Sequence, residues 1–243
     1  MVIYMKKVVV LGGGNGLSTL LRGLKQFPLD LTAIVSVCDD GASSGILRKE
    51  FNTPAMGDIT LVAEMIDGEI VEGEHNITEA NKIIKKVYYK NEPEITPEAI
   101  KAIKKADLVI LSVGSLYTSI IPNIIPKEMK EALKHSKAKI MYVCNIMTQP
   151  GETDKYKVSD HVNKLNEYLD ERKIDVVIAN KGKIEPNIIT KYSSLEQKDP
   201  VILDKQNLKG VEIISDDLVK VEEGSLRHDS LKLSLDIFSY LLK

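Results

Sequence analysis

Four apolar residues, Val8 to Leu11, run straight into Gly12-Gly13-Gly14-Asn15-Gly16 and then into helix-forming sequence. That join dictates a buried strand, a turn with little side-chain bulk, and a helix whose first N–H groups point out of the turn. The same rhythm recurs along the chain. Short runs of Val, Ile and Leu alternate with helical patterns, as in a mainly parallel sheet covered on both faces. The pattern predicts strands over 7–11, 31–38, 107–113, 139–144 and 175–179, and helices over about 16–27, 97–105, 126–135 and 159–171. The expected fold class is α/β, a Rossmann-like, doubly wound sheet.

Two regions break the rhythm. The stretch "TLVAEMIDGEIVEGEHNI" alternates around Asp67-Gly68, a hairpin signal, so an antiparallel excursion is expected there. From 183 to 221 the sequence reads as short strands and polar turns, before a final amphipathic helix over about 229–242. No repeat or Pro/Gly/Ser linker divides the chain, so a single domain over 1–243 is expected.

Charge narrows the function. With 33 basic and 35 acidic residues the formal charge is −2, so no overall field draws the chain to nucleic acid or to an anionic membrane. Any anion site must be local. Cys38 and Cys144 end predicted buried strands, which suggests free thiols in a reducing compartment. Lys6-Lys7 before an apolar stretch imitates a secretory leader, but the stretch is too short and lacks a cleavage site. No run reaches the ~20 apolar residues of a membrane span. A cytoplasmic protein is expected, and Met5 can equally serve as its start.

The glycine cluster is the first candidate site. A strand that ends in glycines and opens a helix presents unpaired N–H groups and a positive dipole end to an anion. Yet the dinucleotide pattern G-x-G-x-x-G is not met, since its last position falls on Leu17 or Thr19, and no Walker lysine follows. The same glycines could serve only a strand-to-helix turn. The loop "VCDDGASSG" comes next. Asp39 follows the last glycine at close to the ~20-residue spacing of a ribose-binding acid, and Asp40, Ser43 and Ser44 could hold ribose or a metal, or cap a helix.

Further loops leave the same predicted edge. "VGSLYTSIIPN" offers Gly114, Ser115, Leu116, Thr118, Ser119 and Asn123, and "CNIMTQPGETD" offers Asn145, Thr148 and Gln149. "IANKG" adds Asn180. Ligands of open parallel sheets sit outside the carboxyl ends of the strands, so these loops favour one crevice for a base, sugar or phosphate. Arg227, in "SLRHD" before the last helix, suits a phosphate or an ion pair with an acid such as Asp229. His75, His135, His161 and His228 show no metal-ligand spacing and are expected on the surface or as caps. No nucleophilic triad is legible.

At these loops the chain resembles the YvcK proteins, the gluconeogenesis factors of the wider CofD-like family. The resemblance rests on "VVVLGGGNGLSTLLRGLK", "CDDGASSG", "GSLYTSIIPN", "CNIMTQPGETD", "DHV", "DVVIAN" and "LRHDSLKL", and so spans nearly the whole chain. The transferase branch, 2-phospho-L-lactate transferase, shares the glycine start but is not known for "MTQPGETD". The resemblance implies a non-catalytic, cytoplasmic regulator that binds UDP-N-acetylglucosamine. It implies a role in envelope-precursor supply and cell shape during gluconeogenic growth. Its binding surface would comprise the glycine loop, Asp39, Asp40, Ser115 to Ser119, Asn180 and Arg227. A protein partner in envelope-precursor synthesis is expected, while a homo-oligomer and a Mg²⁺ requirement stay open.

Two departures stand out. The family loop usually reads Gly-Pro-Gly-Ser before Leu-Tyr, whereas this chain has Ser112-Val113-Gly114-Ser115. Family members also continue past "GDI" with an Arg-Asn pair and several dozen mostly helical residues, whereas Ile59 here meets Thr60 directly. Either the segment is deleted, or residues between Ile59 and Thr60 are left out of the chain as written. The loss of part of the expected ligand wall favours the latter. A transferase with Asp39 and Asp40 holding Mg²⁺ is the second reading, and an NAD-dependent oxidoreductase without its fingerprint is the third.

Overall fold

The computed structural model describes residues 5–36, 59–222 and 224–243. In chain order it runs β1 (Lys6–Gly12), α1 (Gly14–Leu24), β2 (Leu29–Val35), β3 (Leu61–Met65), β4 (Ile70–Glu72), α2 (Glu74–Glu79) and β5 (Ile84–Tyr89). Next come α3 (Pro97–Lys105), β6 (Leu108–Leu111), a π-helical turn (Leu116–Ile120), α4 (Ile121–Ile124), α5 (Lys127–His135) and β7 (Lys139–Val143). The rest is α6 (Val158–Leu169), β8 (Val176–Asn180), α7 (Pro186–Glu196), β9 (Glu212–Asp216), the ribbon β10 (Val219–Glu222) and β11 (Ser225–His228), and α8 (Ser230–Leu241).

Six strands form a parallel sheet in the order β2-β1-β6-β7-β8-β9. Its central strands are apolar throughout because each buries both faces. Val9, Leu11, Val109, Leu111, Ile140 and Tyr142 face one core, while their neighbours Val8, Val10, Leu108, Ile110 and Met141 face the other. Leu17, Leu20 and Leu24 of α1, with Leu233 and Ile237 of α8, cover the second face. α3, α5, α6 and the small antiparallel sheet cover the first. The chain leaves β1 outward to β2 and returns on its other side at β6, so the strand order reverses between β1 and β6. That point opens a crevice at the carboxyl ends of both strands.

The hairpin forms as expected, with β3 antiparallel to β4, and β5 completes a three-stranded sheet. The helix predicted over 97–105 matches α3, with Thr96 capping it and Pro97 at its start. Three expectations are corrected. The 183–221 stretch holds the expected short strands, with β9 joining the parallel sheet as its edge strand, but it also contains α7, an eleven-residue helix. The loop after β6 is wound into the π-helical turn and α4. β2 begins two residues early and is a half-buried edge strand, as its Asp30 and Thr32 permit. Cys144 is a free, buried thiol, while Cys38 lies outside the described residues. Among the described residues no helix is long and apolar enough to cross a membrane.

Candidate functional site

The glycine loop sits at the strand-order reversal with its back on the β6 loop and with Gly14 and Asn15 exposed. A Cβ on Gly16 would lie 2.1 Å from the Val113 carbonyl oxygen, so the helix can rest on the β6 loop only with glycine there. Gly14 has φ 61°, and among the described residues a Cβ at it meets nothing within 4 Å. Gly13 is the N-cap and has no side chain with which to cap the first N–H groups of α1. Gly12 is buried, and Asn15 is exposed.

The β6 loop is locked to this turn. Asn123, itself buried, donates from Nδ2 to the Ser119 carbonyl at 2.7 Å and to the Gly12 carbonyl at 3.3 Å. Ser115 caps the π-helical turn, accepting from Thr118 N–H at 3.0 Å and from the Thr118 hydroxyl at 2.7 Å. Leu116 and Thr118 are buried, so their side chains support the loop, while Val113, Gly114, Ser115 and Ser119 stay partly open.

The β7 loop turns its polar groups inward. Asn145 clasps Gly114, accepting from its N–H at 3.2 Å and donating to its carbonyl at 2.8 Å. Thr148 is buried and accepts from Asp199 N–H at 2.8 Å. Gln149 donates at 2.6 Å to the buried Glu152, whose other oxygen accepts from the Ser115 hydroxyl and, at 3.5 Å, from Tyr117 N–H. Burial pushes the Glu152 carboxyl up to about 7, against the hydrogen bonds that lower it. Glu152 thus ties the β6 and β7 loops together. It lies in a loop singled out from sequence, yet nothing there separates a buried acid from a solvated one.

Asn180 is not part of this arrangement. It accepts from Gly182 N–H and Leu218 N–H, both at 3.0 Å, and lines a separate cleft of about 410 Å³ with Lys181 and Lys205. Arg227, by contrast, stands between two clefts. One, of about 760 Å³, runs past Val113, Asn145, Thr148, Gln149 and Tyr192. The other, of about 460 Å³, joins Arg227 to Asn15, Ser18, Arg22 and Lys220. No ion pair between Arg227 and Asp229 forms among the described residues. Asp229 instead caps α8 by accepting from Lys232 N–H at 3.0 Å.

Two histidines overturn the expectation of surface or capping roles. His161 is buried, with Nδ1 2.9 Å from the Lys157 carbonyl. His228 is buried beside both clefts and donates from Nε2 to the Cys144 carbonyl at 3.2 Å, and burial lowers it to about 4. It is therefore a neutral imidazole at physiological pH. Among the described residues no three His, Cys, Asp or Glu side chains come together to hold a metal. Asp39, Asp40, Ser43 and Ser44 lie outside the described residues.

The family described as 2-phospho-L-lactate transferase CofD matches residues 8–62 and 59–219, two pieces that overlap over 59–62, across the Ile59–Thr60 join. Proteins named "Gluconeogenesis factor" from Halalkalibacterium halodurans and Bacillus subtilis are each 35% identical. Each covers 94% of this chain, which in turn covers 94% and 96% of them. These alignments extend over 305 and 304 positions against 243 residues, so both are gapped in this chain. A crystal structure from Bacillus halodurans, described as a member of the upf0052 family, shares 34% identity and a TM-score of 0.89 over 98% of this chain and 100% of its own.

Proposed function

The chain belongs to the CofD family, and on that premise we propose that it is a gluconeogenesis factor that binds a nucleotide sugar, UDP-N-acetylglucosamine, without turning it over. In this reading it acts in the cytoplasm on envelope-precursor supply and cell shape under gluconeogenic growth, through a protein partner. Its relatives' names support the factor, and one observation supports the ligand. The α1 N-terminus lies at the strand-order reversal, with Gly14 exposed among the described residues and Arg227 in the adjoining cleft. A diphosphate meets backbone N–H groups and a guanidinium there, while the larger cleft has room for base and sugar.

Calorimetry against UDP-N-acetylglucosamine, GTP and NAD, each with and without Mg²⁺, tests the proposal. Binding of the UDP-sugar without product formation is the expected result. The family description favours one second reading, transfer of a phosphate-linked group with Asp39 and Asp40 holding Mg²⁺. Mg²⁺-dependent binding of GTP with release of a transferred product would establish that reading instead.

A further inference from the structure

The last helix carries a second apolar face that the described residues leave largely exposed. Leu233, Ser234 and Ile237 of α8 are its core side. At 3.6 residues per turn, Leu231, Leu235, Phe238 and Leu242 fall within about 60° of one another on a different side. Leu231, Leu235 and Leu242 are 53%, 51% and 68% exposed. Phe238 is half-buried, its ring centroid 4.9 Å from that of Phe27. An outer helix normally sets one apolar stripe against a polar opposite side, so a helix with two such faces is built to be covered on both.

The spacing says by what. The stripe steps by four, three and four residues and so reads the same in both directions. A two-fold axis between Asp236 and Ile237 sets Leu231 on Leu242 of a second copy and Leu235 on its Phe238. Each pair is then made twice, which is the self-complementarity an isologous contact requires. Charge agrees with this order. The antiparallel arrangement brings Asp229 at the start of one helix toward Lys243 after the end of the other, and sets the helix dipoles head to tail. We propose that a second copy of this chain covers this face, α8 packed antiparallel on α8. Leu231 also lines the cleft that holds Arg227, so the second copy's last turn closes on the rim of that cleft.

Sedimentation across a concentration series, from micromolar to near-millimolar, tests the proposal in the intact chain. The expected mass is twice 27.0 kDa. Leu235→Glu, a change at an exposed position, puts two unpaired carboxylates at the centre of the contact and is expected to weaken association by about a hundredfold or more. In a Cys38→Ser background, Leu231→Cys protein mixed with Leu242→Cys protein should form disulfide-linked dimers that neither forms alone. A mass of 27.0 kDa throughout overturns the proposal. So does a dimer indifferent to Leu235→Glu, or cross-linking of either cysteine variant with itself.

Discussion

The glycine loop after β1 and the polar loop after β7 leave the same edge of the same sheet, and both sequences advertise ligand chemistry. Their structures differ in which way the polar groups face. The first offers backbone N–H groups that no described side chain caps, because Gly13 has none to give, and Gly14 beside it is exposed with a positive φ. The second spends its amides and hydroxyl on the protein, with Asn145 on Gly114, Thr148 on Asp199 and Gln149 on Glu152. A recognition surface needs unsatisfied groups, and a scaffold needs satisfied ones. On this account the β1 loop binds and the β7 loop holds it in place.

The largest expected effect comes from joining the two badly. Gly16→Ala drives a Cβ into the Val113 carbonyl and should cost about 3 kcal/mol of stability, read by urea unfolding. A variant as stable as the parent would mean that α1 does not rest on the β6 loop. Arg227→Ala should cost about 1.5 to 3 kcal/mol of UDP-sugar binding, ten- to a hundredfold in affinity, with Arg227→Lys recovering part. Unchanged affinity with a lowered melting temperature would make Arg227 a structural residue.

Asn145→Ala sharpens the contrast from the other side. It removes two hydrogen bonds to Gly114 and should lower stability by about 1 to 2 kcal/mol, with a smaller loss of affinity that follows from the looser loop. A loss of affinity with stability intact would put the β7 loop among the binding groups.

The smallest effect is a slope in pH. Glu152 keeps its proton up to about 7 in the fold, whereas an unfolded glutamate releases it near 4.5. Its contribution to stability therefore falls as pH rises between those values. His228 acts in the opposite sense, since its lowered value of about 4 costs stability as pH falls below 6.5. The histidine effect fades as pH rises above 6.5, and that of Glu152 as it rises above about 7. Melting temperatures across pH 6 to 8 should thus decline more steeply for the parent than for Glu152→Gln, and equal slopes would remove Glu152 as their cause.

The central strands were legible because burial on both faces leaves unbroken apolar runs, as in "VVVL" and "LVIL". The edge strand β9 was legible only as one of the short strands expected over 183–221, for "EIISD" mixes polar residues into a half-buried strand and does not mark it as part of the parallel sheet. α7 escaped notice because only Tyr192 of "PNIITKYSSLE" is buried, so no apolar stripe marks it. At the candidate site the glycine loop was legible since its chemistry lies in the backbone. The amides were ambiguous, because an asparagine that reads a ligand and one that clasps a backbone look alike in sequence. Asn123, Asn145 and Asn180 all clasp backbone.

The central claim is that ligand phosphate lies on the α1 N-terminus. An amide proton–nitrogen correlation spectrum, recorded as UDP-N-acetylglucosamine is added, tests it most directly. The account predicts that the largest shifts fall on the amides of Gly13 to Gly16, and that they vanish in a folded Gly14→Val variant, whose side chain fills the open front. Shifts confined to the β7 loop, with the glycine amides unmoved, would contradict it.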